Sequence, residues 1–221
     1  MQQTINVNLS HNDMLSHIKP RLLSSEYQTD RLLDLVKTHL SADLYLTWYV
    51  DLTDLIPDVP ADADPDCRKT APVTYDLAKK LNLTIDELTA LGNENSAQDY
   101  CARPMEDILH MLSGSSAPRD EDLPNLMYVL TNTQACFGAS AILNTSIQQQ
   151  MDSVFPQGYF CLPSSIHEYL VVGADENDPD MAQALAQMVH SINHNTDIMR
   201  PEEILSDHVF QIRDGALTAV V

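Results

Sequence analysis

Apolar positions along this chain keep two different rhythms. From Gln28 to Leu40, Leu32, Leu33, Leu35, Val36 and Leu40 recur largely at three- and four-residue spacing, which predicts an amphipathic helix. The period then changes. Leu44, Leu46, Trp48, Val50 and Leu52 alternate with Tyr45, Thr47, Tyr49 and Asp51, which predicts a strand over 43–52 carrying the single Trp. Tyr75 to Leu81 reads as a helix. Thr84-Ile85-Asp86-Glu87 matches a capping box that opens another, with Ile85, Leu88 and Leu91 as its buried stripe and Gly92 as its stop. Pro104 opens a short helix carrying Met105, Ile108, Leu109 and Leu112. Before residue 28 the pattern is mixed and specifies no element.

The second half alternates more regularly. Strands are expected over 126–131 and 139–143 with a turn at Asn132 to Gly138 between them. Asn144 or Thr145 caps a helix with Ile147, Met151 and Val154 on one face. A strand pair, 159–162 and 169–172, brackets the Pro163–Glu168 turn. Residues 179–193 form a helix with Met181, Leu185, Met188, Val189 and Ile192 inward. Pro201 begins a helical turn, and 208–212 returns as a strand to the Asp214-Gly215 hairpin. The order ββαββαββ predicts an α+β fold, an antiparallel sheet covered by two helices. The chain is thus expected to divide into a mainly helical part (1–112) with one central strand, a Ser/Gly/Pro-rich linker (113–125) and the sheet part (126–221).

Composition narrows the function classes. The 12 Lys+Arg against 32 Asp+Glu give a formal charge of −20. Direct nucleic-acid binding by phosphate neutralisation is excluded by that sign, and anionic membrane surfaces are disfavoured. The apolar runs are too short to span a bilayer, and the start carries no basic region followed by an apolar stretch. Cys67, Cys101, Cys136 and Cys161 include no pair at two-residue spacing, so four free thiols in a reducing cytoplasm are expected. No Gly-rich phosphate loop and no cofactor signature is present. Asp51, Asp54, Asp58, Asp62, Asp64 and Asp66 lack the register of a calcium loop and read as a solvated acidic loop.

Three places carry candidate chemistry. In Ser164-Ser165-Ile166-His167-Glu168, a strand beginning at Ser165 puts Ser165 and His167 on one face, a spacing that permits a nucleophile–base hydrogen bond without guaranteeing it. The plainer reading is a turn whose hydroxyls bond backbone groups. His190 and His194, four apart on a helix, have metal-ligand spacing, with Asp197 or His208 to complete a set; opposite the apolar stripe they read instead as a solvated face. Asn132 and Asp207-His208 are polar intrusions at strand ends and candidate binding residues.

Some of these segments also resemble a known family. Tyr128-Val129-Leu130-Thr131-Asn132, Phe137-Gly138-Ala139-Ser140-Ala141-Ile142-Leu143, Leu162 to Glu168 and Pro201 to Val209 are similar to the motifs of an uncharacterised bacterial family of unknown function, over roughly residues 43–215. Leu83 to Ser96 resembles its middle section. The resemblance implies a bacterial, cytoplasmic setting and no established activity; members carry an additional N-terminal portion that this chain lacks.

The leading expectation is a non-enzymatic interaction or ligand-binding module. Its surface would lie at Ser164, Ser165, His167 and Glu168 with Asn132, Asp207 and His208, and its partner would be a protein or small molecule. The alternatives are a serine hydrolase using Ser165 and His167, and an acidic mimic that occupies a basic protein.

Overall fold

The computed structural model describes residues 9–56, 69–113, 127–175 and 178–221. The α+β class and the antiparallel pairing are as the pattern implies, but the first half is not mainly helical. After α1 (His11–Leu15) it builds a four-stranded sheet from β1 (Ile18–Ser24), β2 (Lys37–Ser41), β3 (Leu44–Asp51) and β4 (Thr70–Pro72). β1 pairs with β3 from Ile18↔Val50 to Ser24↔Leu44, while β2 and β4 share the opposite edge of β3.

Two local expectations fail here for physical reasons. Of the helix over 28–40 only α2 (Thr29–Leu32) forms. Residues 37–41 find backbone partners along β3, and that tertiary pairing overrides a leucine spacing that suits either state. β1 left no alternating signature because Lys19 and Arg21 sit inside it. Lys19 Nζ lies 3.1 Å from Asp51 Oδ2 and 2.7 Å from Asp99 Oδ2, and the Arg21 guanidinium lies over the Phe137 ring, 4.8 Å from its centroid. Asp51, expected in a solvated loop, is buried at the end of β3. Asp54 is exposed as expected, and the remainder of the acidic run, from Asp58 to Asp66, lies outside the described residues, as does nearly all of the expected linker.

α3 (Tyr75–Leu81) and α4 (Ile85–Ser96) follow the sequence, and the Thr84–Glu87 capping box is formed. Gly92 does not stop α4. It lies in mid-helix, where an added Cβ would come within 3.2 Å of the Trp48 indole, so the missing side chain lets the helix settle on β3. Helix α4 therefore runs on to Asn95, whose Nδ2 donates to the carbonyls of Leu15 and Ile18.

The second sheet has the order β10-β9-β7-β8-β6-β5 and is antiparallel throughout. Its strands are β5 (Tyr100–Pro104), β6 (Met127–Asn132), β7 (Tyr159–Ser165), β8 (Glu168–Gly173), β9 (Phe210–Arg213) and β10 (Ala216–Ala219). β5 comes from the first half of the chain and went unforeseen. Between β5 and β6 lies α5 (Met105–Ser113), which starts after Pro104 as expected.

The expected strand 139–143 is a 3-10 helix (Gly138–Leu143), so the ββαββαββ order does not hold. Its short run of small apolar residues is buried through Ile142, and periodicity does not distinguish a fully buried strand from a buried helix. Helix α6 (Thr145–Val154) follows, capped by Asn144. α7 (Met181–Asn193) packs Val189 against Leu162 and Val209, with Phe160, Leu170 and Val172 around them. The alternate residues Tyr159, Cys161, Tyr169 and Val171 face the main core, which also holds Trp48, Leu22, Ile147 and Met151. That core runs without a break from the first sheet into the second.

Cys101 and Cys161 are free, whereas Cys136 is disulfide-bonded, so the expectation of four free thiols fails. The cytoplasmic assignment loses that support. Among the described residues no helix is long and apolar enough to cross a membrane.

Candidate functional site

The segment from the second 3-10 helix (Pro201–Glu203) to Asp207 runs as a strap over the face where both candidate regions meet. Glu203 O accepts from the Ile166 amide at 2.9 Å. Gln28 Nε2 donates to Ile204 O at 2.7 Å, and Tyr27 Oη donates to Asp207 Oδ2 at 2.7 Å. Ser206 Oγ donates to the buried Asp43 carboxylate, which also accepts from Ser24 Oγ. The 163–168 turn and the Asp207 corner therefore lie against one strap, fastened from below by residues 24–28 and 43.

The turn is built from short polar bonds. Ser165 Oγ accepts from the His167 amide at 3.0 Å, and Ser164 Oγ donates to Glu168 Oε1 at 3.2 Å. The Ser165 bond goes to the backbone of His167, while the ring of that histidine points elsewhere. Its Nδ1 accepts from the Phe137 amide at 3.2 Å, which leaves the proton of a neutral ring on Nε2. Nε2 lies 3.8 Å from Glu203 Oε1. The ring stacks on Phe137, with centroids 5.7 Å apart and planes 10° apart. Arg21 also lies against Phe137, and the Tyr49 ring meets its edge. Asn132 is a turn clamp: its Oδ1 accepts from the Gln134 and Cys136 amides and its Nδ2 donates to Cys136 O. Together these bonds hold Phe137 in a left-handed backbone conformation (φ 53°).

In front of His167 opens a pocket of about 100 Å³, lined by Arg31, Phe137, Ile166, His167, Arg200 and the Glu202–Glu203 pair. A shallower hollow of about 350 Å³ adjoins it, lined by residues 27–31 and Glu202. Arg200 pairs with Glu203. Arg21 and Arg31 form no ion pair among the described residues. Arg21 is 7% exposed, and its Nε lacks a hydrogen-bond partner. Burial above all, then repulsion from Arg31, lowers its pKa to about 10. Neither arginine stood out in the sequence; the signal was there in the scarcity of cations, of which three gather at this one place.

Asp207 anchors the second cluster. Its Oδ1 accepts from Asn193 Nδ2 at 2.8 Å, and His190 Nδ1 and His194 Nε2 lie 3.2 and 3.0 Å from its Oδ2. The helix expectation needs correcting at this point. Met188 and Ile192 are 38% exposed, while Val189 and Asn193 are the buried pair of α7. The inward line is rotated accordingly, and His190 and His194 flank it instead of opposing it. His208 turns away, its Nδ1 lying 3.1 Å from Val221 O.

Burial raises the Asp207 pKa, but bonds from Asn193, Tyr27, His194 and His190 outweigh it and hold the carboxyl down at about 2. A depressed carboxyl contributes stability that is present at neutral pH and lost as pH falls through the folded pKa. Asp207→Asn should therefore lose up to about 2 kcal/mol at pH 7 and show a smaller acid-dependent decline than the parent between pH ~4 and ~2. Urea midpoints measured across that range check this; identical pH slopes would refute it.

No curated protein matches the chain, and no solved structure does. A family model described as a family of unknown function (DUF5688) matches residues 2–213, in keeping with the expected membership of an uncharacterised family, and the chain belongs to that family.

Proposed function

We propose that this protein is a non-enzymatic binding module whose ligand is a small molecule bearing a carboxylate or phosphate, held in the pocket before His167. The observation that carries this reading is Arg31 lining that pocket, with Arg21 over the Phe137 ring that also lines it, neither arginine in an ion pair among the described residues of a chain of net charge −20. Two guanidinium groups that repel each other, one of them largely removed from water, are stabilised by an anion between or beside them. The His167 Nε2–H supplies a donor and Phe137 with Ile166 an apolar wall, while Glu202 and Glu203 turn away ligands of higher negative charge. The volume suits a group the size of several waters. Ser164 and Ser165 shape the turn in this reading, and no proton transfer between Ser165 and the His167 ring is needed.

Thermal unfolding in phosphate or acetate, against chloride at matched ionic strength, tests the proposal. A ligand that binds only the folded state at one hundred times its Kd adds about 2.7 kcal/mol. The parent protein should be stabilised by at least one of the two anions, and Arg31→Ala, an exposed position, should lose that stabilisation without any fall in its melting point in chloride. Equal responses in parent and variant, or no response in the parent, would reject the anion pocket.

A further inference from the structure

His190, His194 and Asp207 bring one ligand atom each to within 4.8 Å of one another. We infer that these three residues form a site for a divalent transition metal of the zinc type, on the outer edge of α7. The cluster is independent of the anion pocket and shares no residue with it.

Four observations carry the inference. The two histidines are one helical turn apart, and their ring centroids lie 4.1 Å from each other, so both imidazoles lean to the same side. Their ring nitrogens lie 3.2 and 3.0 Å from one carboxylate oxygen. Metal–ligand bonds of ~2.0–2.1 Å at angles between square and tetrahedral require ligand atoms about 2.9–3.4 Å apart; the two nitrogen–oxygen separations match this, and the two ring nitrogens, within 4.8 Å of each other, close the set by side-chain rotation of the exposed histidines. The carboxylate is also oriented from behind. Asn193 holds Oδ1 and Tyr27 holds Oδ2, the outer bonding that metal-ligating carboxylates depend on. Finally, the histidine side chains are 64% and 49% exposed, so an ion can enter from solvent, and a fourth position stays open to water or to a partner's ligand.

The donor set decides the ion. Two imidazole nitrogens and one carboxylate suit zinc and its neighbours in the first transition row, whereas calcium and magnesium require more oxygen ligands than the site offers. Tyr27 keeps its bond to Asp207 when the ion is bound. The metal thus tightens the attachment of the strap to residues 24–28 and links α7 to the first sheet.

Calorimetric titration of the full chain, free of any affinity tag, with Zn²⁺ tests the site, with Co²⁺ absorption as a second readout of geometry. The expected result is saturable Zn²⁺ binding, a Co²⁺ spectrum of low coordination number, and no comparable binding of Mg²⁺ or Ca²⁺. His190→Ala and His194→Ala should each weaken Zn²⁺ binding at least about tenfold. Both residues are exposed, so each variant should keep the parent's metal-free circular dichroism and unfold cooperatively, its melting lowered only by the lost bond to Asp207, which excludes misfolding as the cause. Tyr27→Phe should still bind, because Tyr27 supplies no ligand. Absence of Zn²⁺ binding in the parent, or undiminished binding when both histidines are replaced together, overturns the inference.

Discussion

Gly138→Ala should destabilise the protein by about 3 kcal/mol or more and abolish the pocket before His167. A Cβ at residue 138 would lie 2.5 Å from the Asn132 amide nitrogen and 2.7 Å from His167 O, and would also strike Thr131 Oγ1. Two of these obstacles are backbone atoms with no rotamer to retreat into. Room for a methyl group comes only by parting the end of β6 from the β7–β8 turn. That movement breaks the Thr131–His167 bond, normally 2.9 Å, and the Phe137 amide bond to the His167 ring. Gly215→Ala makes a useful contrast. Its Cβ meets nothing within 4 Å, and only the left-handed backbone (φ 76°) opposes it, at roughly 1 kcal/mol. Denaturant unfolding of both variants separates close approach from backbone strain. A Gly138→Ala protein as stable as Gly215→Ala would show that the two elements part without resistance.

Asp43→Ala should lose about 3 kcal/mol. The Asp43 side chain accepts hydrogen bonds from Ser24 and Ser206, and both serines are completely buried. Alanine leaves both hydroxyl protons without an acceptor where water does not reach, and adds a small void. The backbone bond from the Ser25 amide to Asp43 O survives the substitution, so the loss reports the side chain alone. A double-mutant cycle with Ser206→Ala should give a coupling of at least about 1 kcal/mol. A coupling near zero would mean that the strap holds without this network.

The sequence told most where one residue face alternates with water. Strand β3, the capping box at Thr84, helix α7 and the Asp214-Gly215 hairpin were all legible, because local periodicity or turn chemistry alone determines them. It told least where charged side chains lie inside or against the core. Lys19 and Arg21 made β1 look like a polar mixture, because the partners that make their burial tolerable, Asp51, Asp99 and Phe137, are distant in sequence. Strand β2 and the Gly138–Leu143 helix failed for a related reason: their residues suit two local states, and neighbours elsewhere in the chain choose between them.

The candidate site divides along the same line. The turn at Ser164–Glu168 and the corner at Asp207 were visible as polar interruptions, and so was the spacing of His190 and His194. The meeting of the two histidines with Asp207 was not, because it depends on which of Asn193 and Ile192 turns inward on α7. Arg31 and Arg200 were silent in the sequence, since a lone exposed arginine carries no pattern. Only the strap brings them beside His167.

The fastening of that strap has a consequence for how the protein is made. Tyr27 and Asp207 are 180 positions apart, Gln28 and Ile204 are 176 apart, and Asp43 and Ser206 are 163 apart. Contacts that span so much chain are slow to close. On the ribosome the first sheet emerges and waits, with Asp43 and Ser24 lacking their third partner, until the strap through Ser206 has been translated. Completion of both clusters is thereby coupled to translation of the strap: a nascent chain halted before residue 201 presents neither pocket nor corner.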